Sequence, residues 1–129
     1  MSYPYVFKVK DNYYMIPETY QAKSIRLYKA KIFPKSWVLE KNIIRGKEFV
    51  DPSIFFYKGY WWLFASNPLS NILYLYYSKQ IEGPWIEHPD SPIMKNGHYS
   101  RPAGRILILN NRIIRYTQDC DPLYGQRVY

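Results

Sequence analysis

The stretch Val50-Asp51-Pro52-Ser53-Ile54-Phe55-Phe56-Tyr57-Lys58-Gly59-Tyr60-Trp61-Trp62-Leu63-Phe64-Ala65-Ser66 decides the fold. Two short apolar runs rich in aromatic residues flank a Lys-Gly pair, the pattern of two antiparallel strands joined by a tight turn. The pattern also stands 48 residues earlier, pairing Pro4 with Pro52, Phe7 with Phe55, Lys10 with Lys58, and Tyr13-Tyr14 with Trp61-Trp62. The offset persists outward: Leu27 pairs with Leu75, Tyr28 with Tyr76, Lys31 with Lys79 and Trp37 with Trp85. A third copy opens at Ser100-Arg101-Pro102. There a two-residue insertion at Gly104-Arg105 brings Leu107-Ile108-Leu109 under Phe55-Phe56-Tyr57, and Ile113-Ile114 under Trp61-Trp62. A period near fifty, built from short apolar runs punctuated by turn residues, belongs to radially arranged β-sheets, one per repeat.

Working outward, the first repeat reads as four strands: Tyr5 to Val9, Tyr13 to Pro17, the alternating Ser24-Ile25-Arg26-Leu27-Tyr28, and Trp37 to Ile44. Alternation at period two marks a strand with one dry face. The second repeat gives Ser53 to Tyr57, Tyr60 to Ser66, Ile72 to Ser78 and an outer edge through Pro84, Pro89 and Pro92, since proline removes a ladder hydrogen bond. The third gives Arg105 to Leu109, Arg112 to Thr117 and Tyr124 to Tyr129, with no fourth strand. No stretch carries sustained helical periodicity. The expectation is one all-β, β-propeller-like domain over residues 1–129, with blades at 2–48, 49–98 and an incomplete 99–129. Fewer than three blades cannot close a propeller, so a homo-oligomer that completes the ring is an expected partner.

Composition narrows the class. The 129 residues are 47% hydrophobic and 19% aromatic, with 15 tyrosines, which excludes a disordered chain and favours strands. Cys120 is the single cysteine, so no internal disulfide forms; with no signal-peptide pattern, the reading is cytoplasmic. No segment is apolar enough to span a bilayer. A net charge of +8 favours polyanionic partners: nucleic acid, an anionic lipid surface, or a phosphorylated or acidic sugar. Lys29, Lys31, Lys35, Lys41 and Lys47 place much of that charge on an outer strand and its turns.

In a propeller, the start of each first strand and the end of each second strand build the funnel where ligands bind. Before the blade-opening prolines stand Tyr3, Asp51 and Arg101, and at the ends of the second strands stand Glu18, Ser66 and Gln118, with Thr19, Asn67 and Asp119 beside them. Structural positions of a repeat match, whereas functional ones diverge. These positions diverge, which nominates them as the site. His88, His98 and Cys120 have no partner at metal-ligand spacing, so neither a metal nor a cofactor is expected. Trp61 and Trp62, on opposite faces of one strand, read as core.

The strings Ser2-Tyr3-Pro4, Met15-Ile16-Pro17-Glu18-Thr19, Arg26-Leu27-Tyr28, Phe33-Pro34 through Trp37, Val50-Asp51-Pro52, Gly59-Tyr60-Trp61-Trp62-Leu63-Phe64, Gly83-Pro84-Trp85, Ser100-Arg101-Pro102-Ala103-Gly104-Arg105 and Gln118-Asp119-Cys120 through Tyr124-Gly125 resemble the propeller domain at the N-terminus of plant glucosamine inositolphosphorylceramide transferases and similar bacterial proteins. The resemblance implies the five-bladed architecture of the arabinanase, xylosidase and fructosidase clan, with this chain supplying later blades only. That clan hydrolyses glycosides with carboxyl groups at the inner ends of its blades. Asp51 resembles its stabilising aspartate, and Glu18 stands as the second carboxyl, so the two are the candidate catalytic residues. Glu18 precedes Asp51, however, whereas the clan's acid follows, and the blade that carries the base has no counterpart here.

Arg101, Arg105, Gln118 and Asp119 are the candidate substrate-binding residues, because a guanidinium fork meets phosphate or carboxylate bidentately. The leading reading is a carbohydrate-active or carbohydrate-binding propeller fragment that recognises a sugar or sugar phosphate, in an accessory role rather than hydrolysis. Two alternatives stand beside it: a basic module that binds nucleic acid or a protein partner, and a glycosidase-like enzyme using Glu18 and Asp51.

Overall fold

The computed structural model describes residues 2–67, 69, 71–120 and 123–129. Sheet 1 is a four-stranded antiparallel meander of β1 (Ser2–Val9), β2 (Asn12–Glu18), β3 (Ser24–Ile32) and β4 (Ser36–Arg45). Sheet 2 repeats it with β5 (Val50–Tyr57), β6 (Tyr60–Asn67) and β7 (Ile72–Ser78), after which β8 (Ile86–Glu87) and β9 (Met94–Lys95) both pair with β7. The prolines at 84, 89 and 92 split this outer strand in two. Its gap is bridged by backbone bonds from His88 to Leu75 and from Ile93 to Leu73, and by Ser91 Oγ, which accepts the Leu75 N–H at 3.1 Å.

The third repeat, called sheet 3 although its strands pair as a three-stranded and a two-stranded piece, is more broken than its sequence suggests. Its first strand appears as β10 (Arg101–Pro102) and β11 (Leu107–Leu109), its second as β12 (Arg112–Ile114) and β13 (Thr117–Asp119), and its third as β14 (Arg127–Val128). The insertion is the reason on one side: Gly104, at φ +129°, adopts a backbone conformation that side-chain-bearing residues rarely reach, and the chain leaves the ladder there. Arg105, Arg115, Tyr116 and Tyr124, expected within strands, lie outside the strands that form. No α-helix occurs among the described residues, and no helix is long and apolar enough to cross a membrane.

Two cores hold the sheets together, one at each interface. Between sheets 1 and 2 lie Tyr5, Phe7, Ile16, Ile25 and Leu27, facing Ile54, Leu63, Ala65 and Tyr76. Between sheets 2 and 3 lie Phe55, Phe64, Leu73 and Ile106. Consecutive residues of sheet 2 thus enter different cores, Ile54 and Leu63 one, Phe55 and Phe64 the other. This is why its strands read as continuous apolar runs rather than alternation. Trp61 joins the first core, 6.0 Å from the Phe7 ring, and Trp62 the second, as core packing requires.

Trp37 and Trp85 each donate the indole N–H to a carbonyl in the preceding loop, of Pro34 and Ile81. Trp85 packs on the first core, whereas Trp37 packs against Phe33 at the edge of sheet 1.

The first hairpin of each repeat has the same polarity. The turns at Lys10-Asp11, Lys58-Gly59 and Asn110-Asn111 point to one end, and the starts of β1, β5 and β10 to the other. Lys58 and Gly59, like Asn110 and Asn111, have positive φ at both positions, the backbone of a two-residue type I′ turn.

Candidate functional site

At the end where the inner strands begin, Pro4 and Pro52 cannot donate to their ladders, and the register of β1 and of β5 shifts around them. The residues before them, Tyr3 and Asp51, take left-handed backbone angles of φ 47° and 50°. The two bulges re-aim those side chains towards the space between the sheets. In sheet 3 the equivalent Arg101 pairs in ordinary register with Gln118.

Asp51 is the hub. It is 3% exposed, and its Oδ2 accepts from Arg101 Nε at 2.8 Å, from a second Arg101 nitrogen at 2.6 Å, and from Gln118 Nε2 at 3.0 Å. Gln118 Nε2 also donates to the Pro102 carbonyl, which fixes its amide. Glu18 arrives from the end of β2: its Oε2 accepts the Asp51 backbone N–H at 3.3 Å and its Oε1 the Ser2 hydroxyl at 3.2 Å.

Burial is the largest influence on the Asp51 carboxyl and pushes it up to about 6. The Arg101 guanidinium pulls the other way, and Glu18, close enough to hydrogen-bond to Asp51, adds to the rise.

Beside this group, Tyr3 crosses to sheet 3, where its hydroxyl accepts the Gly104 N–H at 2.7 Å and meets Ser53 Oγ at 3.3 Å. Desolvation raises the Tyr3 phenol above its ordinary range. The Tyr124 ring covers the Arg101 guanidinium at 5.0 Å. Together, Ser2, Tyr3, Glu18, Asp51, Arg101, Gln118 and Tyr124 line a cavity of about 440 Å³.

Four residues nominated by the repeat, Glu18, Asp51, Arg101 and Gln118, therefore meet in one place. Two of the candidate substrate-binding residues, Arg105 and Asp119, do not join them. Arg105 donates to the Val6 carbonyl at 2.8 Å and lies over the Tyr5 ring, beside a smaller recess of about 230 Å³. Asp119 is buried behind the cavity, where it holds His98 Nδ1 at 2.8 Å and accepts from the Tyr129 hydroxyl at 3.3 Å. Adjacent residues of a strand face opposite ways, so Gln118 in the cavity puts Asp119 out of it.

Tyr124 is visible in the sequence as the start of an expected strand and within the resemblance, but not as a ring over Arg101. Tyr3 is visible in the sequence as a position but not as a hydrogen-bonding group. Cys120 Sγ lies 4.0 Å from Arg101, behind the ion pair. Among the described residues no cluster of three metal-ligating side chains occurs.

Meandering four-stranded sheets whose inner strands begin around one polar cavity define the class: a β-propeller of the kind seen in five-bladed glycoside-cleaving enzymes. The chain superposes with a TM-score of 0.74 and 16% identity on an exo-beta-1,3-galactanase from Phanerochaete chrysosporium, over 98% of this chain and 31% of that one. On an endo-arabinase from Bacteroides thetaiotaomicron the TM-score is 0.69 at 18% identity, over 90% of this chain and 44% of that one.

Within that class, the family model described as glucosamine inositolphosphorylceramide transferase 1, N-terminal, matches residues 1–129, and the chain belongs to this family. It is 40% identical to the glucosamine inositolphosphorylceramide transferase 1 of Oryza sativa subsp. japonica over 136 residues, and 35% identical to that of Arabidopsis thaliana over 137. In both cases 99% of this chain is covered, and it spans 18% of the relative's length.

Proposed function

We propose that the chain binds a sugar, neutral or phosphate-bearing, in the cavity around Asp51, as a recognition module and not as a hydrolase. The observation that carries the reading is the convergence of Glu18, Asp51, Arg101 and Gln118 from three sheets on one cavity of about 440 Å³, the size of a small-ligand pocket. Carboxylates and amides held in fixed orientation suit sugar hydroxyls, which both donate and accept. Tyr124, 73% exposed, offers a ring face at the rim. The names of a relative and of a structural neighbour, glucosamine inositolphosphorylceramide transferase 1 and exo-beta-1,3-galactanase, both concern carbohydrate.

Two features weigh against hydrolysis. The two carboxyls of a glycosidase stand on either side of the scissile bond, whereas Glu18 is turned onto the Asp51 backbone, its Oε2 accepting that N–H at 3.3 Å. Asp51 is also held by three donor nitrogens on one oxygen, so a reacting role would require breaking that set.

Screening the full chain on a glycan array, followed by calorimetric titration of the strongest ligand, tests the proposal. Glu18→Gln and Asp51→Asn are each expected to weaken that ligand at least about tenfold, because a buried acceptor lost from a sugar hydroxyl is worth about 1.5–3 kcal/mol. An array on which nothing is retained overturns the reading, as does a ligand that binds both variants as well as it binds the parent.

A further inference from the structure

The end of the sheets opposite the cavity has a composition of its own. We infer that it is a docking surface for an anionic lipid bilayer, an inference independent of the sugar site.

Hairpin polarity sets the geometry. The turns β1–β2, β3–β4, β5–β6, β7–β8 and β11–β12 all lie at the end away from Glu18 and Asp51, and the Tyr57 hydroxyl ties two of them together by donating to the Asn111 carbonyl at 3.1 Å. In and beside these turns stand Lys10, Lys31, Lys35, Lys58, Lys79 and Arg112, all exposed, against the carboxylates Asp11 and Glu82.

Aliphatic and aromatic side chains project among those charges. Ile32 is 65% exposed, and Phe33, Ile86 and Leu109 are exposed as well. The β3–β4 tip is built rather than loose: Phe33 stacks on Tyr13 with centroids 3.9 Å apart, meets Trp37 edge-on, and Trp37 Nε1 bonds the Pro34 carbonyl.

Cations alone would suit any polyanion. Exposed isoleucine and leucine beside them gain nothing from a phosphodiester backbone, but they are favoured on entering the acyl boundary of a membrane. An indole and a phenol at the same level match the amphipathic interface. Docked in this way, the chain turns its cavity away from the bilayer, towards the aqueous side.

The test is co-sedimentation of the full chain with phosphatidylcholine vesicles with and without phosphatidylserine. Binding is expected only where phosphatidylserine is present, and it weakens as salt is raised. Each lysine near an anionic surface contributes about fivefold to partition, so Lys31→Glu/Lys35→Glu is expected to lower it more than about 25-fold. Ile32→Ser/Ile86→Ser, which leaves the charge unchanged, is expected to lower it severalfold. Lys23→Glu/Arg45→Glu, the same change in net charge at the cavity end, is expected to leave it nearly intact.

No sedimentation with phosphatidylserine vesicles overturns the inference. So does an equal loss in both charge-reversed variants, or tight binding of a short RNA that the isoleucine variant retains in full while vesicle binding is also unchanged. Circular dichroism of each variant keeps loss of fold apart from loss of docking.

Discussion

Leu63 in sheet 2 is completely buried, whereas Arg115, its counterpart in the third repeat, is a half-buried cation that lies over the Phe64 ring at 5.6 Å and bonds the Tyr99 carbonyl. Around Leu63, β6 runs unbroken for eight residues; around Arg115, the matching strand falls into β12 and β13. A neighbouring pair behaves alike: Trp61 packs in a core and Ile113 is 43% exposed. The repeat specifies strand direction and hairpin turns but not strand continuity: β1 to β4, covered on one face only, run unbroken like β6, whereas the third repeat breaks where a cation stands in place of a core leucine.

The largest test of that view is Leu63→Ala against Ile113→Ala. A fully enclosed leucine is expected to cost about 2–5 kcal/mol on truncation, whereas an exposed isoleucine is expected to cost about 0.5 kcal/mol or less. Urea denaturation of both measures it, and equal losses would break the comparison.

Next in size is Tyr3→Phe. It removes the acceptor of the Gly104 N–H and is expected to cost about 1–3 kcal/mol. Amide exchange should show the loss chiefly in β10 and β13, with sheet 2 unchanged.

The smallest effect is one of pH. Burial holds the Asp51 carboxyl up to about 6, above its value in the unfolded chain, so between about pH 4 and 6 the folded state keeps a proton that the unfolded state releases. The Asp51 contribution to stability therefore declines as pH rises through that window. Chemical denaturation near both limits is expected to show this slope in the parent and not in Asp51→Asn.

The legible parts are those the repeat duplicates. Phe7 and Phe55, or Lys10 and Lys58, announce equivalent strands and turns because each pair obeys the same steric demands twice. Glu18, Asp51, Arg101 and Gln118 were legible as neighbours for a related reason: equal positions in a repeat occupy equal places about an axis. What the residues do not declare is direction. Nothing in Gly104-Arg105 says that the insertion carries Arg105 to Val6, and nothing in Gln118-Asp119 says which of the two faces the cavity. Tyr124 was legible as the start of a third strand and as part of a family-like string, but its place over Arg101 was not, because it depends on the path of the chain after Cys120. The prolines of the second repeat did announce an edge, but not that serine and backbone bonds would carry the ladder across it.

The bond from Tyr3 to Gly104 joins residues 101 positions apart, and that from Asp51 to Gln118 spans 67. Contacts so distant along the chain form late and slowly, since a long loop must close before it is rewarded. During synthesis, sheets 1 and 2 can fold while the third repeat is still being made, yet the cavity has no floor until Arg101 and Gln118 have emerged. A ribosome-bound chain ending before residue 101 would hold Asp51 without either of its partners. The polar cluster around Asp51 is thus completed only after much of the apolar surface between sheets 1 and 2 has been covered.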